Sequence, residues 1–159
     1  MKKSFKGILS LILAVAMVFT SVVLSAETAR AEQAEGTVRL YCYIGEQEGK
    51  TDAANWGFNL WNGSNATVVE KGETDVAIEG WGKSIPSLIA DEANEGWAYI
   101  GLSSADIAGY QFVYADATVL SQSWNTGIKT SNLSAAYLKD GKWYTEIACE
   151  NEVVAPEPV

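Results

Sequence analysis

Residues 37–44, Thr-Val-Arg-Leu-Tyr-Cys-Tyr-Ile, decide the fold class of this chain because apolar side chains recur there at every second position. One face of the segment carries Val38, Leu40, Cys42 and Ile44, and the other carries Thr37, Arg39, Tyr41 and Tyr43. A period of two is typical of a half-buried β-strand. Residues 37–44 are therefore predicted to form the first strand of the domain.

Further β-type runs follow, and turn signals separate them. They cover residues 55–61, 66–70, 75–81, 97–102, 109–115, 135–139 and 142–148. Short strands at this spacing predict an all-β protein with the antiparallel β-sandwich of immunoglobulin-like domains. Asp140 and Gly141 separate the last two runs, and this pair predicts a two-residue type I′ hairpin turn. Residues 85–93 are the one segment compatible with a helix, which Pro86 restricts to a short one.

The N-terminus has the pattern of a cleavable signal peptide. Lys2, Lys3 and Lys6 precede an apolar run over residues 8–24, and Ala29-Arg30-Ala31 supplies a small-x-small cleavage pattern. Residues 8–24 reach only the lower limit of a membrane-spanning length, and no Lys or Arg cluster follows them to stop transfer. The predicted organisation is a signal peptide at 1–31, a flexible leader at 32–36, a domain at 37–150 and a Pro-containing tail at 151–159. This organisation predicts a secreted or cell-surface, extracellular protein.

Charge and composition narrow the choice of partner. Residues 1–31 hold four of the 11 basic residues and one of the 20 acidic ones, so the remainder carries seven against 19, a formal charge of −12. Repulsion by phosphate then argues against nucleic acid, and against a membrane once the signal peptide is removed. Histidine is absent, which excludes imidazole catalysis and His-ligated metals. We predict a neutral ligand, no cofactor and no metal.

The chain has two cysteines, Cys42 and Cys149. In an exported protein such a pair is compatible with one disulfide, here between the first and last predicted strands. Two free thiols are the equally weighted alternative. Both alternatives stay open at the level of sequence.

Strand alternation separates core tryptophans from surface ones. In residues 55–61, Trp56, Phe58 and Leu60 share an apolar face, whereas Trp61 shares the opposite face with Asn59. An exposed indole beside an amide suits sugar recognition, because the ring stacks on the apolar face of a pyranose while the amide bonds its hydroxyls. Trp124 lies in a polar run beside Gln122 and Lys129, and this run is predicted to supply a second ring and further hydrogen bonds.

Residues 40–61 resemble a known family. The segment LYCYIGEQEGKTDAANWGFNLW is similar to the opening of the pullulanase-associated starch-binding modules, carbohydrate-binding module family 41. The resemblance implies a β-sandwich that holds α-1,4-linked glucan on exposed aromatic rings, with Trp56 as the structural Trp and Trp61 as a stacking Trp. Asn59 stands where the family has Trp or His, so the resemblance leaves the second platform to Trp124. The family also has a ligand-binding lysine in a later loop, commonly followed by Asp-Pro. This sequence has no Lys-Asp-Pro, and Lys129 is the nearest equivalent.

The predicted function is non-catalytic binding of a starch-type α-glucan, in the company of a catalytic module of the pullulanase or amylase type. Asn59, Trp61, Gln122, Trp124 and Lys129 are the predicted ligand-binding residues. The alternative from another class is a cell-surface β-sandwich for adhesion or protein interaction, in which the aromatic residues anchor an interface. A small hydrolase is the third alternative, but no pair of carboxylates stands out among residues such as Glu70, Asp75, Glu79, Asp91 and Glu146.

Overall fold

The computed structural model describes residues 32–61, 66–104, 107, 109–123 and 134–153. This part of the chain is all-β, as predicted, with a single 3₁₀ turn at Ala53–Asn55. Its strands are β1 Val38–Tyr43, β2 Trp56–Trp61, β3 Val68–Glu70, β4 Val76–Ala77, β5 Ser84–Ile85, β6 Ile89–Ala90, β7 Trp97–Leu102, β8 Gly109–Tyr114, β9 Val119–Ser123, β10 Ala135–Lys139 and β11 Lys142–Tyr144. The predicted signal peptide at 1–31 and the tail beyond residue 153 lie outside the described residues.

The large sheet has the strand order β11-β10-β1-β7-β3, with β6 also paired to β7. Strand β1 is antiparallel to β7 but parallel to β10, with Arg39 opposite both Gly101 and Ala135. The sheet is therefore mixed, and the prediction of a wholly antiparallel arrangement is corrected here. Parallel neighbours need a long connection instead of a hairpin, and the chain between β1 and β10 passes through every strand from β2 to β9.

The small sheet contains β2, β8 and β9, all antiparallel. Its edge strand β9 was not among the predicted runs, because its residues VLSQS are mostly polar and a bulge interrupts its pairing with β8. The other edge, along β2, is bonded by the segment that follows β5. The N–H of Phe58 donates to the carbonyl of Pro86, and the N–H of Leu88 donates to the carbonyl of Trp56.

The helix that residues 85–93 were predicted to permit is absent. Strand β5 ends at Ile85, Ser87 forms a bridge with Gly57, and Ile89 pairs with Tyr99 in the large sheet. These residues lead the chain from the edge of the small sheet to the edge of the large one. Long-range strand partners, which the local pattern does not reveal, determine their conformation.

One hydrophobic cluster receives side chains from both sheets. Leu40, Cys42, Ile100 and Leu138 come from the large sheet, and Trp56, Phe58 and Phe112 come from the small one. The alternation predicted for β1 is confirmed, since Leu40 belongs to this cluster and Tyr41 to a separate one. In β2, Trp56 is fully buried whereas Trp61 is only half-buried. The Asp140-Gly141 turn is also confirmed, because both residues have positive φ and Lys139 pairs with Lys142.

The outer face of the large sheet is covered as well, which the half-buried pattern of β1 did not predict. Tyr41 is only 2% exposed, and its ring stacks on Tyr137 at a centroid distance of 4.7 Å. Ile147 and Cys149, which follow β11, pack against this aromatic cluster. The C-terminal segment thus gives the large sheet a second buried face.

Residues on either side of the predicted range 37–150 make hydrogen bonds to it. Gln33, in the predicted leader, donates from its amide to the carbonyls of Thr37 and Ser134. At the other end the N–H of Val153 donates to the carbonyl of Trp143. Among the described residues there is no helix with the length and apolar character needed to cross a lipid bilayer.

Candidate functional site

The outer face of the small sheet is divided into a covered half and an open half. In the covered half, Ile85 of the β4–β5 hairpin fills the space above Gly57, where a Cβ would lie 2.5 Å from its side chain. Ile78 and Val113 belong to the same small cluster. The open half carries Asn59, Trp61, Gly109, Gln111 and Gln122, and it is called the amide–indole face below.

Strand register places the members of the amide–indole face. Asn59 lies opposite Gln111, Gln111 lies opposite Gln122, and Trp61 lies opposite Gly109. Side chains of directly opposed residues stand about 5 Å apart, and diagonal neighbours about 7–8 Å. The indole of Trp61 is therefore close enough to the amides for one ligand to contact both.

Gly109 gives the Trp61 ring its position. A Cβ at residue 109 would lie 2.6 Å from Nε1 and 2.8 Å from Cδ1 of Trp61. The five-membered ring of the indole thus occupies the space that any other residue at 109 would fill. Trp61 was predicted to be exposed, but it is half-buried, because its ring lies against Gly109.

The two glutamines form a connected pair. Nε2 of Gln111 donates to Oε1 of Gln122 across the β8–β9 ladder, at 3.0 Å. Gln122 is exposed, whereas Gln111 and Asn59 are half-buried. The hydrogen bond fixes the orientation of two amides that a ligand on this face would meet.

The strands under this face carry no charge. Strands β2, β8 and β9 contain no Asp, Glu, Lys or Arg. The large sheet, by contrast, includes Arg39, Glu70, Lys139 and Lys142, and the chain as a whole has a formal charge of −9. A neutral sheet surface on an acidic protein suits a neutral, hydrogen-bonding ligand.

The structure brings together three of the five predicted ligand-binding residues, Asn59, Trp61 and Gln122. Trp124 and Lys129 lie outside the described residues. Gln111 was missed, because residues 109–115 were predicted only as a β-type run, without a separation of its two faces. Alternation against Tyr110 and Phe112 was the signal available for it, since these two neighbours are buried and Gln111 points the other way.

The other described tryptophans are used in packing. Trp56 is fully buried, and Trp97 belongs to the aromatic cluster on the large sheet. Trp143 packs against the core and donates from Nε1 to the hydroxyl of Tyr110 at 2.9 Å. Trp81 lies in the turn between β4 and β5 and packs against the cluster of Ile78 and Ile85.

A concave region lies away from the amide–indole face, between the loop after β1 and the β10–β11 turn. Tyr43, Gln47, Lys139 and Asp140 line it. The ammonium of Lys139 lies 4.6 Å from the centroid of the Tyr43 ring, so a cation already covers this ring. The amide–indole face is the better candidate for stacking.

The cysteines are both free, and the disulfide alternative is not formed. Cys42 points into the core between the sheets, whereas Cys149 packs on the opposite face of the large sheet. Burial raises the pKa of the Cys42 thiol. No group of three or more Cys, Asp or Glu side chains in the described part of the chain is arranged to hold a metal ion.

Comparison with known proteins found no match. No family model, no curated protein and no solved structure matched this chain. The resemblance to the pullulanase-associated modules therefore stays a prediction, and the case for a function depends on the geometry of the amide–indole face.

Proposed function

We propose that this protein is a non-catalytic carbohydrate-binding domain that holds a starch-type α-glucan on its amide–indole face. The observation that carries the proposal is the position of Trp61 beside Asn59 and Gln111 on strands without any charged residue. The architecture proposed with it is a β-sandwich of immunoglobulin-like type. A signal peptide at 1–31 and an extracellular or cell-surface location complete the proposal.

The chemistry of a sugar chain matches this surface. The C–H groups of a pyranose form an apolar face that stacks on the indole of Trp61, and its hydroxyls bond to the amides. By analogy with base stacking, one ring contributes about 1–3 kcal/mol, so a lone domain is expected to bind in the micromolar to millimolar range. The choice of an α-glucan comes from the resemblance of residues 40–61, with Trp124 and Lys129 proposed as further ligand contacts.

Other contacts support binding without catalysis. Glycoside hydrolysis needs two carboxylates on either side of a bound sugar. Glu70 is occupied by a bidentate pair with Arg39, Asp75 by a contact with Lys71, and Glu146 by hydrogen bonds within its own loop. These three carboxylates therefore have structural partners away from the amide–indole face.

Native gel electrophoresis through amylopectin tests the proposal. The wild-type protein should be retarded, Trp61→Ala should migrate as in a gel without polysaccharide, and Trp61→Phe should keep part of the retardation. Val69→Ala, at an exposed position of the opposite sheet, is the matched control and should behave as wild type. Absence of wild-type retardation, with tryptophan fluorescence indifferent to maltotriose, would overturn the proposal in favour of a protein-interaction role. Equal retardation of Trp61→Ala would place binding elsewhere and overturn the site.

A further inference from the structure

The free edge of strand β9 differs from the other edges of the two sheets. The edge of the small sheet along β2 is bonded by the segment that contains Pro86, and the edge of the large sheet along β11 is bonded by residues 151–153. At the opposite edge of the large sheet, β3 and β6 are three and two residues long, and a bulge interrupts β3. Strand β9 has five residues, and none of the described strands pairs with the side that faces away from β8. It is therefore the longest open edge in the part of the chain that the structure describes.

The sequence of β9 does not protect this edge. Soluble proteins protect open edges with charged side chains, Pro or bulges, because unpaired backbone N–H and C=O groups can bond a strand of another chain. The residues of β9, VLSQS, include no charged residue and no Pro. The bulge in β9 lies at one end, between the pairs Phe112–Ser121 and Val113–Val119, and residues 121–123 pair regularly with β8. This regular part of the edge is therefore suited to accept another strand.

A row of amides leads to the same edge. Asn59 opposes Gln111, and Gln111 opposes Gln122, so the three amides cross the small sheet from β2 to β9. Nε2 of Gln111 donates to Oε1 of Gln122 at 3.0 Å, and the amide of Gln122 keeps its two N–H donors and one lone pair of its oxygen for further partners. Gln122 is exposed. An identical amide complements it, because each amide can donate to the oxygen of the other.

We propose that two copies of this protein associate through their β9 strands, which pair antiparallel about a twofold axis at Gln122. Identical strands that pair in this way present the same row of N–H and C=O groups to each other, so one surface serves both copies. An axis at Gln122 sets this residue opposite its counterpart, at a Cβ separation of about 5 Å, and keeps the outer faces of both small sheets on the same side. The product is one six-stranded sheet with the order β2-β8-β9-β9-β8-β2.

Charge favours a second copy over a partner that is selected by charge. The whole chain has a formal charge of −9, yet strands β2, β8 and β9 contain no Asp, Glu, Lys or Arg. Two acidic copies can therefore meet along β9 without opposing like charges in the joined sheet, whereas a cationic partner finds no carboxylate on this strand. The pairing is short, so we expect weak and reversible association with a dissociation constant of about 0.1–1 mM.

Association through β9 would place two amide–indole faces on one surface. The two β2 strands would be separated by five strand spacings, which is about 24 Å at about 4.8 Å each. A polymer could then contact Trp61 of both copies, and effective concentration would raise its affinity without any new contact. This consequence rests on the proposed function, whereas the association itself does not.

Sedimentation equilibrium of the purified protein tests the proposal. In about 0.15 M salt, the weight-average mass of the wild type should rise towards that of a dimer as the concentration increases from about 10 µM to about 1 mM. Gln122→Lys and Gln122→Glu should each stay monomeric, because two like charges are then opposed at the axis. An equimolar mixture of these two variants should associate, since opposite charges face each other. Val69→Lys, which adds a charge at an exposed position of the large sheet, is the control and should associate as the wild type does.

Four results would overturn the proposal. A wild type that stays monomeric over the whole range would leave the β9 edge to a strand of a different protein. Association of Gln122→Lys alone at the wild-type strength would place the interface elsewhere, and loss of association in Val69→Lys would indicate a general effect of charge. A mixture of the two Gln122 variants that stays monomeric would exclude the twofold axis at this residue. None of these results depends on sugar binding, so the proposed function is tested separately.

Discussion

The indole of Trp61 covers Gly109 so closely that a single added carbon at residue 109 would lie 2.6 Å from its Nε1. These residues are directly opposed on β2 and β8. A similar close contact between a glycine and an opposed side chain occurs in the large sheet, where a Cβ at Gly101 would lie 2.5 Å from the Cβ of Glu70. A glycine in each sheet therefore accommodates the side chain of a neighbouring strand, and the two sites provide a matched pair for mutation.

Gly109→Ala is expected to displace the Trp61 ring and weaken binding of maltotriose about tenfold or more, since stacking depends on the orientation of the ring. Its far-UV circular dichroism should remain that of the wild type, while its tryptophan emission should shift. Gly101→Ala is the control, expected to lower stability without changing affinity. Unchanged affinity in Gly109→Ala would contradict a stacking role for Trp61.

The ion pair of Arg39 and Glu70 provides a second prediction. Arg39 is only 1% exposed, donates to both carboxylate oxygens of Glu70, and lies with Cζ 4.6 Å from the centroid of the Tyr99 ring. The hydrogen bond to Glu70 is the main cause of a raised pKa of Arg39, so the guanidinium stays charged. Glu70→Leu leaves this cation buried without its partner and is expected to lower the free energy of unfolding by about 3 kcal/mol.

Urea denaturation followed by fluorescence measures this loss. Lys71→Gln is the control, because it removes an ion pair with Asp75 in which both side chains are more than two-fifths exposed. Such a surface pair contributes about 0–1 kcal/mol. If both variants lost the same small part of their free energy of unfolding, the Arg39–Glu70 ion pair would stabilise the protein no more than a surface ion pair does.

Much of the fold follows from alternation, and the exceptions have physical causes. Apolar residues at every second position, or long apolar runs, allow five strands to be predicted from the sequence: β1, β2, β7, β8 and β10. Strand β9 is not, because an edge strand needs few apolar residues and its bulge breaks the period. The segment 85–93 owes its conformation to pairing with Gly57 and Tyr99, which are distant in sequence.

The two thiols provide a third prediction. The unreduced protein in denaturant should titrate two thiols with Ellman's reagent. In the native state Cys149 should react first, because it is partly exposed, although burial also raises its pKa. Cys42 should react only on unfolding, so Cys149→Ser should leave a single thiol that is silent until urea is added. Absence of thiols in the denatured, unreduced wild type would show that the cysteines are bonded.

Glu146 provides a prediction on pH. Its carboxylate accepts from the hydroxyl of Thr145 and from the N–H groups of Asn151 and Glu150, and these bonds lower its pKa from the ordinary 4.5 to about 2, with Thr145 the largest cause. Since the pKa is depressed in the folded state, the ionised carboxylate stabilises the loop above pH 4.5. This stabilisation is lost progressively as the pH falls from 4.5 towards 2.

Hydrogen exchange checks the effect on this loop. Protection factors at the Glu150 and Asn151 amides should fall between pH 5 and pH 3 in the wild type. Glu146→Gln should show low protection that does not change over the same range. Glu152→Gln, which alters an exposed carboxylate 3.8 Å from Lys142, should behave as wild type. A fall in protection that is the same in Glu146→Gln would point to another titrating group.

Only part of the candidate site can be predicted from the sequence. Alternation sets Asn59 and Trp61 on one face because their strand neighbours are strongly apolar. The contribution of Gln111 requires knowledge that β8 lies between β2 and β9, and the space at Gly109 requires the register that opposes it to Trp61. Pairings of this kind are long-range, so residue types along one strand do not specify them.

The central position of β1 affects how the molecule is assembled. Among the described strands β1 is synthesised first, and its neighbours β7 and β10 are made much later. Arg39 therefore cannot pair with Gly101 and Ala135 until both strands have been made. Until β7 and β10 are made, the backbone N–H and C=O groups of β1 remain open to pairing with other chains. A truncated product that ends before Ser134 would lack β10 and the buried Leu138, so we expect it to aggregate where the longer chain folds.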